Sequence, residues 1–209
     1  MLNKKKVAAV IAIPIIIILL IVVIVVIQNN GESKVAKLYN KLESSKEYIF
    51  EMKDTNNYEI TIAKKDGQTS IDMNNDGERV TTLIKDGATY LISHSQKEYY
   101  IYDSSITNET VVTDMLKDLE KPNNTGTEKI YGDNYKYEEY TGFAGFMTST
   151  KIDIDETTVK TRFYFKGENL SYIKTIIEGG DDELLETSLS YDVPDTLFEI
   201  PSDYAETSY

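Results

Sequence analysis

The chain has no cysteine and no tryptophan, a single histidine and only four prolines. Each scarcity removes a class of explanation. Without cysteine there are no disulfide staples, no thiol nucleophile, no thiolate metal centre and no acylated cysteine of the lipoprotein type. One histidine is too few for a clustered zinc site, and most hydrolytic triads need that base beside a convergent partner. The sequence also lacks a phosphate-cradling glycine loop. It therefore reads as a non-enzyme with no cofactor and no metal. Basic charge is short as well. All 35 acidic residues lie beyond residue 28, against 19 of the 22 basic ones, so residues 29–209 carry a net charge of −16. Such a field repels phosphate backbones, and nucleic acid is not an expected partner.

Charge of either sign is missing altogether from Val7 to Ile27, a Val/Ile/Leu/Ala run broken only by Pro14. At about 1.5 Å per helical residue this run matches the roughly 30 Å hydrocarbon core of a bilayer. A proline in the second turn is tolerable there. A cleaved signal peptide is the competing reading, because Lys4, Lys5 and Lys6 precede the run. After Ile27, however, Gln28-Asn29-Asn30-Gly31 offers no small-x-small cleavage site. The expectation is an uncleaved single-pass signal anchor in the cell membrane. Residues 1–6 would be a cytoplasmic tail, 7–27 a transmembrane helix and 28–209 an extracytoplasmic domain. Lys34, Lys37 and Lys41 follow the run soon after and weaken the charge asymmetry. The abutting basic cluster and the short tail favour the amino terminus inside.

Past the run, two periods alternate. Val35, Leu38, Tyr39 and Leu42 fall on one helical face, with Ser33 placed to cap a helix over Glu32 to Lys46. From Glu47 the period becomes two. Asp66-Gly67, Asp76-Gly77 and Asp86-Gly87 stand ten residues apart, and Asp-Gly suits the positive φ angles of tight hairpins. Strands are predicted near 48–54, 57–64, 68–74, 78–85, 88–93 and 98–102. A second helix, capped by Asn108 and ended by Pro122, carries Val112, Met115, Leu116 and Leu119. Strands resume near 127–131, 135–141, 151–154, 159–165, 170–178 and 184–191, before a short closing segment Leu197–Pro201. The class expected is α+β, mainly antiparallel β, with about a dozen strands and two helices.

Few residues invite chemistry. His94 sits in Ser93-His94-Ser95-Gln96 and reads as a solvated turn histidine. Asp72, Asn74, Asp76 and Gly77 open like a calcium loop, but position twelve is Leu83 where a bidentate acid is required. Of sixteen tyrosines, seven cluster at Tyr99, Tyr100 and Tyr102 and at Tyr131, Tyr135, Tyr137 and Tyr140, as sheet packing or as a binding surface. The uncharged stretch Gly142-Phe143-Ala144-Gly145-Phe146-Met147 is either an apolar flap at a ligand site or a loop folded into the core.

The layout resembles the LolA/LolB-like lipoprotein-carrier superfamily, here as a membrane-anchored, non-lipidated member. The likeness rests on the helix before a long meander, on Ile84-Lys85-Asp86-Gly87-Ala88-Thr89-Tyr90 followed by Glu98-Tyr99-Tyr100, and on an F-x-I-P-x-x-Y ending at Phe198, Ile200, Pro201 and Tyr204. It covers roughly residues 33–204 as a pattern, with no highly specific motif. What it implies is a curved up-and-down meander, a half-barrel covered by two or so helices, with a cavity for acyl chains. The candidate cavity residues are Phe143, Phe146, Met147, Tyr100, Tyr102, Met115 and Leu116. The expected function is binding of lipid or another hydrophobic ligand in the cell envelope. The alternative is an envelope sensing or protein-interaction module with no small ligand.

Overall fold

The structure is a computed structural model, and it describes residues 33–102, 113, 116, 117, 119, 121–142 and 159–207. Ser33–Tyr209 forms one compact unit, distinct from Met1–Glu32.

Turn chemistry sets the first half. Strands β1 (Tyr48–Lys53), β2 (Tyr58–Lys65), β3 (Gln68–Asn75), β4 (Glu78–Lys85), β5 (Ala88–Ser93) and β6 (Glu98–Tyr102) follow one another as hairpins. Their ends fall within a residue or so of the alternation. At the three Asp-Gly tips both residues have positive φ, for example 50° at Asp66 and 78° at Gly67. Aspartate tolerates that region and glycine takes it freely, so each two-residue turn fixes the register of its hairpin. The second half runs β7 (Asn124–Ile130), β8 (Asp133–Thr141), β9 (Lys160–Lys166), β10 (Asn169–Ile176) and β11 (Glu183–Ser190), with a short β12 (Ala205–Glu206) at the end.

The expected architecture needs correcting. The strands form one open twelve-stranded sheet, in the order β12-β6-β5-β4-β3-β2-β1-β11-β10-β9-β8-β7. Two meanders are thus joined through β1 and β11, where Phe50 opposes Leu189 and Met52 opposes Thr187. The antiparallel β character holds, but β12 lies parallel on β6. In place of two covering helices there is one among the described residues, α1 (Lys34–Ser44). The predicted second helix is represented by Thr113, Leu116, Lys117 and Leu119, with one helical hydrogen bond from Lys117 N to Thr113 O. No helix among the described residues is long and apolar enough to cross a membrane. Residues 7–27, on which that expectation fell, and the strand predicted at 151–154 lie outside the described residues.

Alternation divides the sheet into two working faces. Tyr48, Phe50, Met52, Ile62, Phe163, Phe165, Ile173 and Leu185 pack with Val35, Leu38 and Leu42 of α1 and with Leu116 and Leu119. Burying each helix side chain of this size is worth about 1.5–3 kcal/mol. On the opposite face Ala63, Leu83 and Ile92 pack against Val193 and Phe198 of the closing segment. That segment crosses as a 3-10 turn (Asp195–Phe198) and ends on the β6 edge, covering its start at Glu98 and Tyr99.

What fastens α1 to the sheet is the buried Glu138 of β8. Its Oε1 accepts from the Lys34 N–H (2.7 Å) and its Oε2 from the Val35 N–H (3.0 Å). Ser33 Oγ accepts from Ala36 N–H (2.9 Å), and Ser33 O accepts from Lys37 N–H (3.0 Å). Lys37 N–H makes the first regular helical bond, and the three orphaned donors of Lys34, Val35 and Ala36 are all satisfied, two of them by an acid from a distant strand. The carboxylate also faces the positive end of the helix dipole. Tyr140 O–H reaches both Ser33 Oγ and Glu138 Oε2 at 3.3 Å, and its burial pushes the phenol pKa up, so it stays a donor. Replacing Glu138 by alanine strands two amide donors in a closed site. We expect Glu138→Ala to lower stability by about 2–3 kcal/mol in urea unfolding, and Glu138→Gln by less, since one acceptor oxygen remains.

Candidate functional site

Beneath α1 the sheet leaves a gap. Phe50 of β1, Leu189 of β11 and Leu170 of β10 form its floor, Leu38 of α1 its roof, and Lys34, Lys37, Lys41, Glu168 and Asn169 its rim. The cavity measures about 160 Å³.

Leu170 is there because of a one-residue irregularity. Phe165 opposes Leu170, but Tyr164 opposes Tyr172, so Ser171 is an extra residue in β10. Strict alternation would put Leu170 and Tyr172 on the same face. The bulge instead turns Leu170 toward the helix, where it packs on the main core, while Tyr172 joins Tyr135 and Tyr164 on the other side.

The rim is cationic in a chain that is otherwise acidic. Lys34 Nζ pairs with Glu168 Oε1 at 2.9 Å and donates to the Gly167 carbonyl, and that lysine holds the Glu168 carboxyl below its usual range. Lys41 Nζ lies 4.7 Å from the centre of the Tyr191 ring. Lys37 and Lys41 are exposed, and neither makes an ion pair among the described residues. An apolar floor with ammonium groups at its lip offers two kinds of contact to one ligand: desolvation below, charge above. A larger depression of about 460 Å³ lies over the β1–β2 and β10–β11 turns, with Asp54, Asp181, Asp182 and Glu183 in its lining. There Asp182 pairs with Lys174 (2.9 Å), Asp54 accepts from the Asn56 and Tyr58 amides, and Ile177, Leu184 and Leu185 share the lining, so its charges are acidic, opposite in sign to the lysines beneath α1.

The sequence-derived candidates fall in several places. Leu116 is 2 % exposed and lies in the main core beside α1, not at the rim. Tyr100 is partly buried in β6, opposite Leu91 and away from this gap. Tyr102 opposes Thr89 in the same strand. Phe143, Phe146, Met147 and Met115 lie outside the described residues. Of the tyrosines, Tyr135 and Tyr137 pack on the face away from α1 with Tyr164 and Tyr172, as sheet packing. The lysines of α1 drew notice only as charges near the apolar run, and neither Leu170 nor Glu138 stood out. Ser171 breaking the alternation of β10 was the one local signal.

His94 is not the solvated turn residue that its neighbours suggested. Its Nε2 lies 2.8 Å from Thr81 Oγ1, and its Nδ1 lies 3.0 Å from Tyr204 Oη. Thr81 donates to Asp72 (2.8 Å), whose carboxylate Arg79 also holds at 3.0 and 2.8 Å. Since the threonine proton is committed to Asp72, its oxygen accepts from Nε2–H, leaving Nδ1 to accept from Tyr204. The neutral imidazole is thus a strut that ties the closing segment to β4 and β5. The same bonds occupy Asp72 of the calcium-like string, and Asn74 Oδ1 accepts from Gly77 N–H within the turn (3.2 Å).

No family model matches the chain, and neither does any curated protein. Among solved structures, an uncharacterized conserved protein from Thermus thermophilus is similar at a TM-score of 0.46 and 9% identity, over 81% of this chain and 94% of that one. This likeness is too slight to bear on function.

Burial, with the Arg79 charge second, holds the His94 pKa below its ordinary 6.5. The unfolded chain then binds the proton first, so this site stabilises the fold above about pH 6.5 and loses that contribution as pH falls below it. In thermal unfolding, wild type should exceed His94→Gln at pH 8. The gap should narrow steadily as pH falls from about 6.5 to 5.

Proposed function

We propose that residues 33–209 form a binding domain for a lipid or other hydrophobic ligand, held at the cell membrane by the apolar run 7–27 on its extracytoplasmic side. The observation that carries this reading is the gap under α1, with Phe50, Leu170 and Leu189 as an apolar floor open to solvent beside lysines. Its size defines what it holds. Drug-sized ligands occupy pockets of at least about 300 Å³, so about 160 Å³ seats one segment of an acyl chain, not a whole lipid. Tethering fits handover or sensing near the bilayer better than shuttling across an aqueous space. The likeness to lipoprotein carriers points to the same ligand class. The domain acts by binding: the one histidine has both ring nitrogens committed to hydroxyl groups that hold the fold.

A second reading, an envelope protein-interaction module, draws on the same modest volume, which also suits one apolar side chain of a partner.

Photo-crosslinking separates the two. The full chain, in nanodiscs of zwitterionic lipid, is irradiated with a diazirine-bearing fatty acid and the adducts are mapped by peptide mass spectrometry. We expect adducts on the peptides containing Leu38, Leu170 and Leu189, and a several-fold loss in Leu189→Trp, which fills the gap. Adducts absent from these peptides, or unchanged in the variant, would favour the protein-interaction reading.

A further inference from the structure

We propose that the gap under α1 reads the charge of its ligand, taking an anionic amphiphile whose carboxylate or phosphate end meets Lys37 and Lys41. This rests on the gap being the ligand site. Three observations carry it. First, Lys34, Lys37 and Lys41 follow one another at three- and four-residue steps, so one side of α1 beside Leu38 is uniformly basic. Residues 29–209 carry −16 overall, so this sign is a local reversal. Second, Glu168, the one acid at the rim among the described residues, is already engaged by Lys34. Lys37 and Lys41 form no ion pair among the described residues, and the Lys37 charge acts on Glu168 more weakly than that of Lys34. Third, these charges sit at the lip of an apolar floor, and no acid among the described residues stands on that floor. A neutral chain would use the floor and ignore the lip. A free anion would use the lip and ignore the floor. An amphiphile with an anionic end uses both, and it can enter chain first without desolvating its headgroup.

The test compares the diazirine fatty acid with its methyl ester at pH 8, using the full chain in zwitterionic nanodiscs. Adduct yield on the Leu170 and Leu189 peptides is normalised to adducts on the nanodisc scaffold, which report the probe's concentration in the bilayer. Two exposed charge contacts set the expected preference for the acid at about tenfold. The double variant Lys37→Gln, Lys41→Gln should bring the acid down to the level of the ester. Both lysines are exposed, so the variant keeps its core. Equal labelling by acid and ester in the wild type would overturn charge reading and leave the ligand site standing. A preference that survives in the double variant would also overturn it. Labelling of the gap by neither probe would remove the ligand site itself. Full displacement of the acid by millimolar inorganic phosphate would assign the lip to a free anion, not an amphiphile.

Discussion

The buried carboxylate of Glu138 is the contact on which the helix side of the sheet depends. A sheet twelve strands wide has more apolar surface than the eleven-residue α1 can cover, so where α1 lies decides which strands it covers. Apolar packing alone would tolerate sliding, because hydrophobic contact has no direction. Two hydrogen bonds that Glu138 accepts from consecutive amides remove that freedom. They fix the start of α1 over β8, and with it the height of Leu38 above Phe50 and the line of lysines along the rim. The gap is thus what remains between a pinned helix and a bulged strand.

The two faces of the sheet are stabilised by different means. The helix side relies on large apolar side chains and one capped helix start. The other side is held by the closing segment, whose ties are polar: Lys65 to Asp195 at 2.6 Å, Lys97 to Asp203 at 2.7 Å, and Tyr204 to His94. The first two pairs are exposed and worth little individually. Together with Phe198 and Val193 on their apolar seat, they hold a strap that also shields the β6 edge.

Local chemistry was legible in the sequence; long-range partnership was not. Asp66-Gly67 and its two successors announce their hairpins because the turn needs only its own residues, and Ser33 announces a helix start for the same reason. Glu138 looks like any acid on a polar strand face, since its partners, the amides of Lys34 and Val35, are a hundred residues away. The joining of β1 to β11 depends on the matching of two apolar rows, which no window of sequence contains. Strict alternation misplaces Leu170 because one inserted serine changes the face of everything beyond it. His94 was misread because its partners Thr81 and Tyr204 come from a different strand and from the closing segment.

The seam between β1 and β11 also sets the order in which this protein can be completed. Ile49 pairs with Ser190, so while the chain is being made β1 has only one neighbour, β2, until β11 has emerged. Closing so long a loop is slow compared with forming hairpins. During that interval Tyr48, Phe50 and Met52 lie along an unpaired strand border, the kind of border that recruits another chain. A product cut short before β11 would keep that border permanently. Such a fragment would aggregate even though most of its hairpins were sound, and intact synthesis through β11 is a condition for solubility of the whole.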